Sequence, residues 1–96
     1  MYVPKEILEN FCKSNHIAKL SFYGSWVSDP ESSNDIDILI EFEESVKPGL
    51  LLMARLEREL SEIFNKKVDL RTPEELSKFF RKQVINEARI EYQSKR

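Results

Sequence analysis

The sequence predicts an α/β (α+β) domain, a small mixed β-sheet flanked by helices in the order α-β-β-α-β-α. Three observations carry this. Residues 35–42, DIDILIEF, alternate strictly, with Ile36, Ile38, Ile40 and Phe42 on one face, as in a half-buried strand. Residues 48–64 place Leu52, Leu56, Leu60, Ile63 and Phe64 on one helical stripe, with Met53 beside it. Shorter alternating runs at 17–23 and 67–71 supply further strands, and strands interleaved with helices form a sheet covered by helices.

Each element has local grounds. Residues 4–15 read as a helix. Pro4 suits its first position, Glu6 its first turn and Asn15 its C-terminal cap, while Ile7, Leu8, Phe11 and Cys12 share a face. In 17–23, Ala18, Leu20 and Phe22 alternate with Lys19, Ser21 and Tyr23, and Gly24 permits a sharp turn. A loop punctuated by Pro30, Ser32 and Ser33 leads to 35–42, where Asp35, Asp37, Leu39 and Glu41 occupy the face opposite the isoleucines. Pro48 and Gly49 open the helix over 48–64; its Glu57, Arg58 and Glu62, with Lys66 just past its end, read as solvated charges. After KVDLR at 67–71, Thr72-Pro73-Glu74-Glu75 is a capping-box helix start. Leu76, Phe80, Val84, Ala88 and Tyr92 then recur every four residues with Phe79 alongside, which predicts a core-facing helical stripe over 73–93, in one helix or two.

With 96 residues the chain fits a single domain, 1–96, and leaves no room for a separate substrate-holding domain. Fifteen basic and 17 acidic residues give a net charge of -2, which argues against a nucleic-acid binder and leaves at most a small basic patch at Lys78, Arg81 and Lys82. Cys12 alone forms no internal disulfide and, with only His16 nearby, no zinc site. The longest apolar run, 50–54, is too short to span a bilayer, and no basic region followed by an apolar stretch marks a leader. The expectation is a cytoplasmic protein without a membrane partner. His16 reads as a capping or surface residue, Cys12 as core, and Trp26 as packing under its loop.

Three acidic residues stand apart from ordinary surface charge. Asp35 and Asp37 sit two apart on one strand, so both carboxylates leave the same face, roughly 6.5–7 Å apart. Asp69 lies between Val68 and Leu70 in a second short strand, and if the two strands pair it joins them. Carboxylates brought together repel unless a cation intervenes. Hard oxygen ligands suit Mg2+, which is held by one or two carboxylates plus substrate phosphates. Upstream, Gly24 lets backbone approach a ligand, and Ser25 with the following amides can bond phosphate oxygens. A lone Gly-Ser is an ordinary turn; the order and separation of all five residues carry the argument.

Gly24-Ser25, nine residues, then Asp35-Ile36-Asp37 with Ile38-Leu39-Ile40-Glu41-Phe42 resembles the nucleotidyltransferase signature of the DNA polymerase β superfamily. Lys67-Val68-Asp69-Leu70 is similar to the region of that superfamily's third carboxylate. Over residues 6–92 the chain resembles the minimal nucleotidyltransferases that serve as MNT antitoxins of HEPN–MNT toxin–antitoxin pairs. The resemblance implies a nucleotidyltransferase fold, Gly24 and Ser25 holding the triphosphate of ATP, and Asp35 and Asp37 binding Mg2+. Asp69 would aid metal binding or act as general base. It implies transfer of AMP to a tyrosine of a cognate HEPN ribonuclease toxin, or neutralisation of that toxin by binding alone. Two departures stand out. The Ser-to-Asp interval is nine residues where the family has ten, and Ser28 stands where the family commonly carries Arg. Arg71, just past Asp69, is the candidate substitute cation.

Overall fold

A computed structural model describes residues 3–29 and 35–94. The loop predicted around Pro30, Ser32 and Ser33 lies outside the described residues. The elements are α1 (Lys5–Ser14), β1 (Ile17–Tyr23), α2 (Ser25–Ser28), β2 (Asp35–Phe42), α3 (Leu50–Phe64), β3 (Lys67–Arg71), a 3-10 turn (Pro73–Glu75), α4 (Lys78–Glu87) and β4 (Arg89–Gln93). They form one four-stranded sheet in the order β3-β2-β1-β4. β1 pairs antiparallel with β2 and with β4, while β2 and β3 run parallel, joined by α3. A parallel neighbour requires such a crossover, because a tight turn cannot reverse the chain twice.

The core lies on one face of this sheet. Ile36, Ile38 and Ile40 of β2 are fully buried, with Ile17 and Leu20 of β1 and Val68 and Leu70 of β3. Leu8 and Cys12 of α1 and Leu56, Leu60 and Phe64 of α3 cover them. Burial without a nearby cation pushes the Cys12 thiol up to about 12, so it packs as a small apolar group. Asn65 ends α3 in the left-handed region at φ 53°, a conformation Asn tolerates better than most side chains, and the chain turns straight into β3. His16 also takes positive φ, in the turn between α1 and β1, where its Nδ1 lies 3.8 Å from Glu43 Oε1.

The C-terminal third departs from the sequence expectation. The capping box forms, with Glu75 Oε1 accepting from the Thr72 N–H at 3.0 Å, but the helix it starts is a single 3-10 turn. Leu76 is extended (ψ 146°), and Ser77 opens a new helix by accepting from the Phe79 N–H. Ala88 is extended again (ψ 143°), so Tyr92 belongs to β4 rather than to a helical stripe. The expected core stripe is therefore not a core stripe: α4 buries no residue, and Phe79 and Phe80 are 83% and 61% exposed. The four-residue repeat reads equally as helix and as alternating strand, and β4 gains an antiparallel pairing with the free edge of β1. A register shift at Leu20/Ser21 lets Tyr92 face the core opposite Leu20, while Ile90 faces the other side opposite Ser21. Nor is Arg81 part of a free basic patch: its guanidinium donates to the carbonyls of Pro73, Glu74 and Leu76 at 2.7, 3.3 and 3.1 Å. Among the described residues no helix is long and apolar enough to cross a membrane.

Candidate functional site

The face of the sheet opposite the core carries the acidic residues. Because β2 and β3 are parallel and in register, Asp37 stands directly opposite Asp69. Adjacent strands lie about 4.8 Å apart, so these two half-buried carboxylates face each other across one strand spacing. Asp35 leaves the same face two positions earlier, opposite Lys67. On the other flank Tyr23 of β1 is the cross-strand partner of Asp37. The structure thus brings Asp37 and Asp69 together as a pair and leaves Asp35 one pleat away. Convergence of all three on one point is not met: among the described residues no three such side chains are placed to hold a single ion. The donor set nevertheless fits Mg2+, which takes only one or two protein carboxylates and fills its other positions with phosphate oxygens and water.

Electrostatics identify Asp37 as the centre of the group. Its pKa is raised first by burial, then by the carboxylate of Asp69 and more weakly by Asp35, while the Arg71 guanidinium pulls it down. Tyr23 sits in the same field. Burial and the charges of Asp37, Asp69 and Glu75 raise its phenol, and Arg71 again opposes. Arg71 thus acts as a cation on both Asp37 and Tyr23.

The Gly-Ser turn is built against Asp37. Gly24 follows β1 directly and adopts φ 72°, a left-handed value that side chains resist. A Cβ on Gly24 would lie 2.6 Å from Asp37 Oδ2, so any side chain here would force the carboxylate to move. Ser25 then begins the one-turn helix α2, in which the Val27 and Ser28 N–H groups both donate to the Gly24 carbonyl. Trp26 anchors the turn, as expected. It meets Phe22 edge to face at 6.4 Å, and Lys66 Nζ lies 5.7 Å from its ring centre. Ser28 Oγ donates back to the Ser25 carbonyl at 3.4 Å, and its neutral hydroxyl offers no charge to a phosphate.

One contributor is absent from the sequence expectation. Glu57 was expected as a solvated charge, yet its Oε2 accepts from the Leu70 N–H at 2.9 Å. One turn later, Ser61 Oγ accepts from the Val68 N–H at 3.0 Å. β3 is the sheet's edge, and its outward N–H groups at 68 and 70 are those of the residues flanking Asp69. Two side chains spaced i, i+4 on α3 satisfy both. The signal in the sequence was the Glu57–Ser61 spacing opposite a short edge strand, but it appears only once α3 and β3 are known to be neighbours. Glu57→Ala leaves the Leu70 N–H short of its charged acceptor and is expected to cost roughly 1–3 kcal/mol. Urea denaturation measures this, and Glu57→Gln, which keeps an acceptor oxygen, should recover most of the loss.

Comparison with known proteins agrees with this geometry. The family described as polymerase beta nucleotidyltransferase matches residues 5–96. The curated "Putative protein adenylyltransferase MJ0435" of Methanocaldococcus jannaschii is 34% identical over 73 residues, covering 75% of this chain and 76% of that protein. A solved "Structure of putative minimal nucleotidyltransferase" is 28% identical, with TM-score 0.71 over 88% of this chain and 85% of that one. One chain of a solved complex of tri-AMPylated Shewanella oneidensis HEPN toxin with MNT antitoxin is alike in fold at TM-score 0.68 and 16% identity, over 94% of this chain and 70% of that one. The signature residues stand on adjacent strands around a glycine turn, and the family match spans nearly the whole chain; the protein belongs to the polymerase β nucleotidyltransferase family.

Proposed function

We propose that the protein is an MNT-type antitoxin that transfers AMP from ATP, with Mg2+, to a tyrosine of a cognate HEPN ribonuclease toxin and thereby silences it. The observation that carries this is the Asp37–Asp69 pair packed directly behind the Gly24 turn. The AMPylated toxin in the fold-related complex supports the choice of acceptor. In this reading Gly24 and Ser25 hold the triphosphate, and Asp35 and Asp37 hold the metal. Bound Mg2+ would neutralise charge on the triphosphate and on the departing pyrophosphate. Asp69 orients the acceptor phenol and takes its proton. The phenol oxygen bonds to the α-phosphorus, the bond to the β-phosphate oxygen breaks, and pyrophosphate leaves. In this reading the acceptor arrives on another protein.

A second reading has its own observation. Ser28 replaces a common Arg and presents no charge, which favours an antitoxin that neutralises by occlusion alone. Incubation with ATP labelled on the α-phosphate, Mg2+ and the product of the neighbouring gene separates the two. Label on a tyrosine of that product is the expected result; its absence, with an intact complex, leaves occlusion.

A further inference from the structure

α4 has no place in the core, yet it is held firmly. Ser77 caps its start, and Arg81 ties it to three carbonyls around the 3-10 turn. Its Phe80 and Val84 do not turn to the apolar core but to a cavity of about 330 Å³ whose opposite wall is Tyr23 and the Gly24 backbone. Phe80 remains 61% exposed, a ring left uncovered in a pocket rather than buried. Gln83 and Glu87 complete the rim, one helical turn apart, with Gln83 Nε2 donating to Glu87 Oε1 at 3.3 Å.

We propose that this cavity receives the planar base of the nucleoside triphosphate; the inference rests on the nucleotide reading of Gly24 and Ser25. Three features fit a base. The walls are largely aromatic and aliphatic, as pockets for flat heterocycles are, and the polar side-chain groups are few: the Tyr23 hydroxyl, Gln83 and Glu87. The Gln83 carboxamide and the Glu87 carboxylate offer both donors and acceptors to a base. The cavity also reaches the Gly24 backbone itself, and Tyr23 pairs with Asp37 across the strands. A base is tied to its phosphates through one ribose, so it must dock within that reach of the cradle. α4 thus does the work of a base-holding wall in a chain that builds no second domain among its described residues.

The test is calorimetric titration of the whole chain with Mg·ATP and, separately, with Mg·tripolyphosphate. Phe80→Ala removes a largely exposed ring, and circular dichroism checks that the fold is kept. Loss of base stacking is expected to weaken Mg·ATP binding roughly tenfold or more while leaving tripolyphosphate within about twofold. Phe80→Tyr should restore ATP affinity. Equal weakening of both ligands overturns the proposal, since the ring would then serve the fold. No change in either also overturns it while leaving the nucleotide reading intact. If Phe80→Ala keeps ATP affinity but lowers modification of the partner protein, the cavity holds the acceptor instead. Failure of the unaltered protein to bind either ligand overturns the nucleotide reading itself and this inference with it.

Discussion

Replacing Asp35 and Asp37 together by asparagine is expected to lower AMP transfer about a thousandfold or more without unfolding the protein. The size follows from what the pair would hold. Metal stabilisation of charge in phosphoryl chemistry is worth several kcal/mol, and each 1.4 kcal/mol is tenfold in rate. The fold should survive because both side chains leave the sheet face opposite the isoleucines, which keep all their contacts. The change even removes a repulsion: Asp37 is held above its usual range by burial and by Asp69. With its folded pKa above its unfolded value, ionised Asp37 destabilises the fold. The penalty is absent below the unfolded carboxylate value and develops as pH rises through the folded one. The double variant should therefore unfold at a urea concentration no lower than the unaltered protein at neutral pH. Lost transfer with unchanged or raised stability identifies a functional cluster. If the same variant still protects cells from the toxin, neutralisation by occlusion replaces catalysis as the account of the protein.

What the sequence made legible divides by the range of the interactions involved. The alternation of DIDILIEF and the Leu52-to-Phe64 stripe are local patterns, and local burial decides them, so β2 and α3 appear close to where the spacing put them. The Asp37–Asp69 pairing needed one further step, the parallel register that α3 imposes, and that step was open to reasoning because a helix joins the two strands. The C-terminal third was not legible. Leu76, Phe80, Val84, Ala88 and Tyr92 fit a helical stripe on paper, yet the decision between helix and strand for residues 89–93 belongs to the free edge of β1, which is remote in sequence from all of these local signals. Glu57 shows the same limit. A glutamate on an amphipathic helix reads as solvated until an edge strand with outward N–H groups is set beside it.

Gly24→Ala is expected to damage the site more than the fold. Two costs act together. At φ 72° an alanine is strained by roughly 1–2 kcal/mol, which lowers stability measurably but not fatally. The new methyl would also lie 2.6 Å from Asp37 Oδ2, and since that atom ends a side chain, the carboxylate can swing away. Relief of the clash therefore displaces the residue at the centre of the acidic group. A misplacement of about 1 Å at a reacting centre costs about a hundredfold in rate, so transfer should fall by that order. The Mg2+ concentration needed for half-maximal activity should rise, which a purely conformational lesion would not cause. Gly49→Ala is the matched control. Nothing lies within 4 Å of a Cβ there and φ is negative, so it should cost less than about 1 kcal/mol and leave transfer unchanged. If Gly24→Ala loses stability but keeps its metal dependence and rate, the glycine serves only the turn, and its closeness to Asp37 has no part in the chemistry.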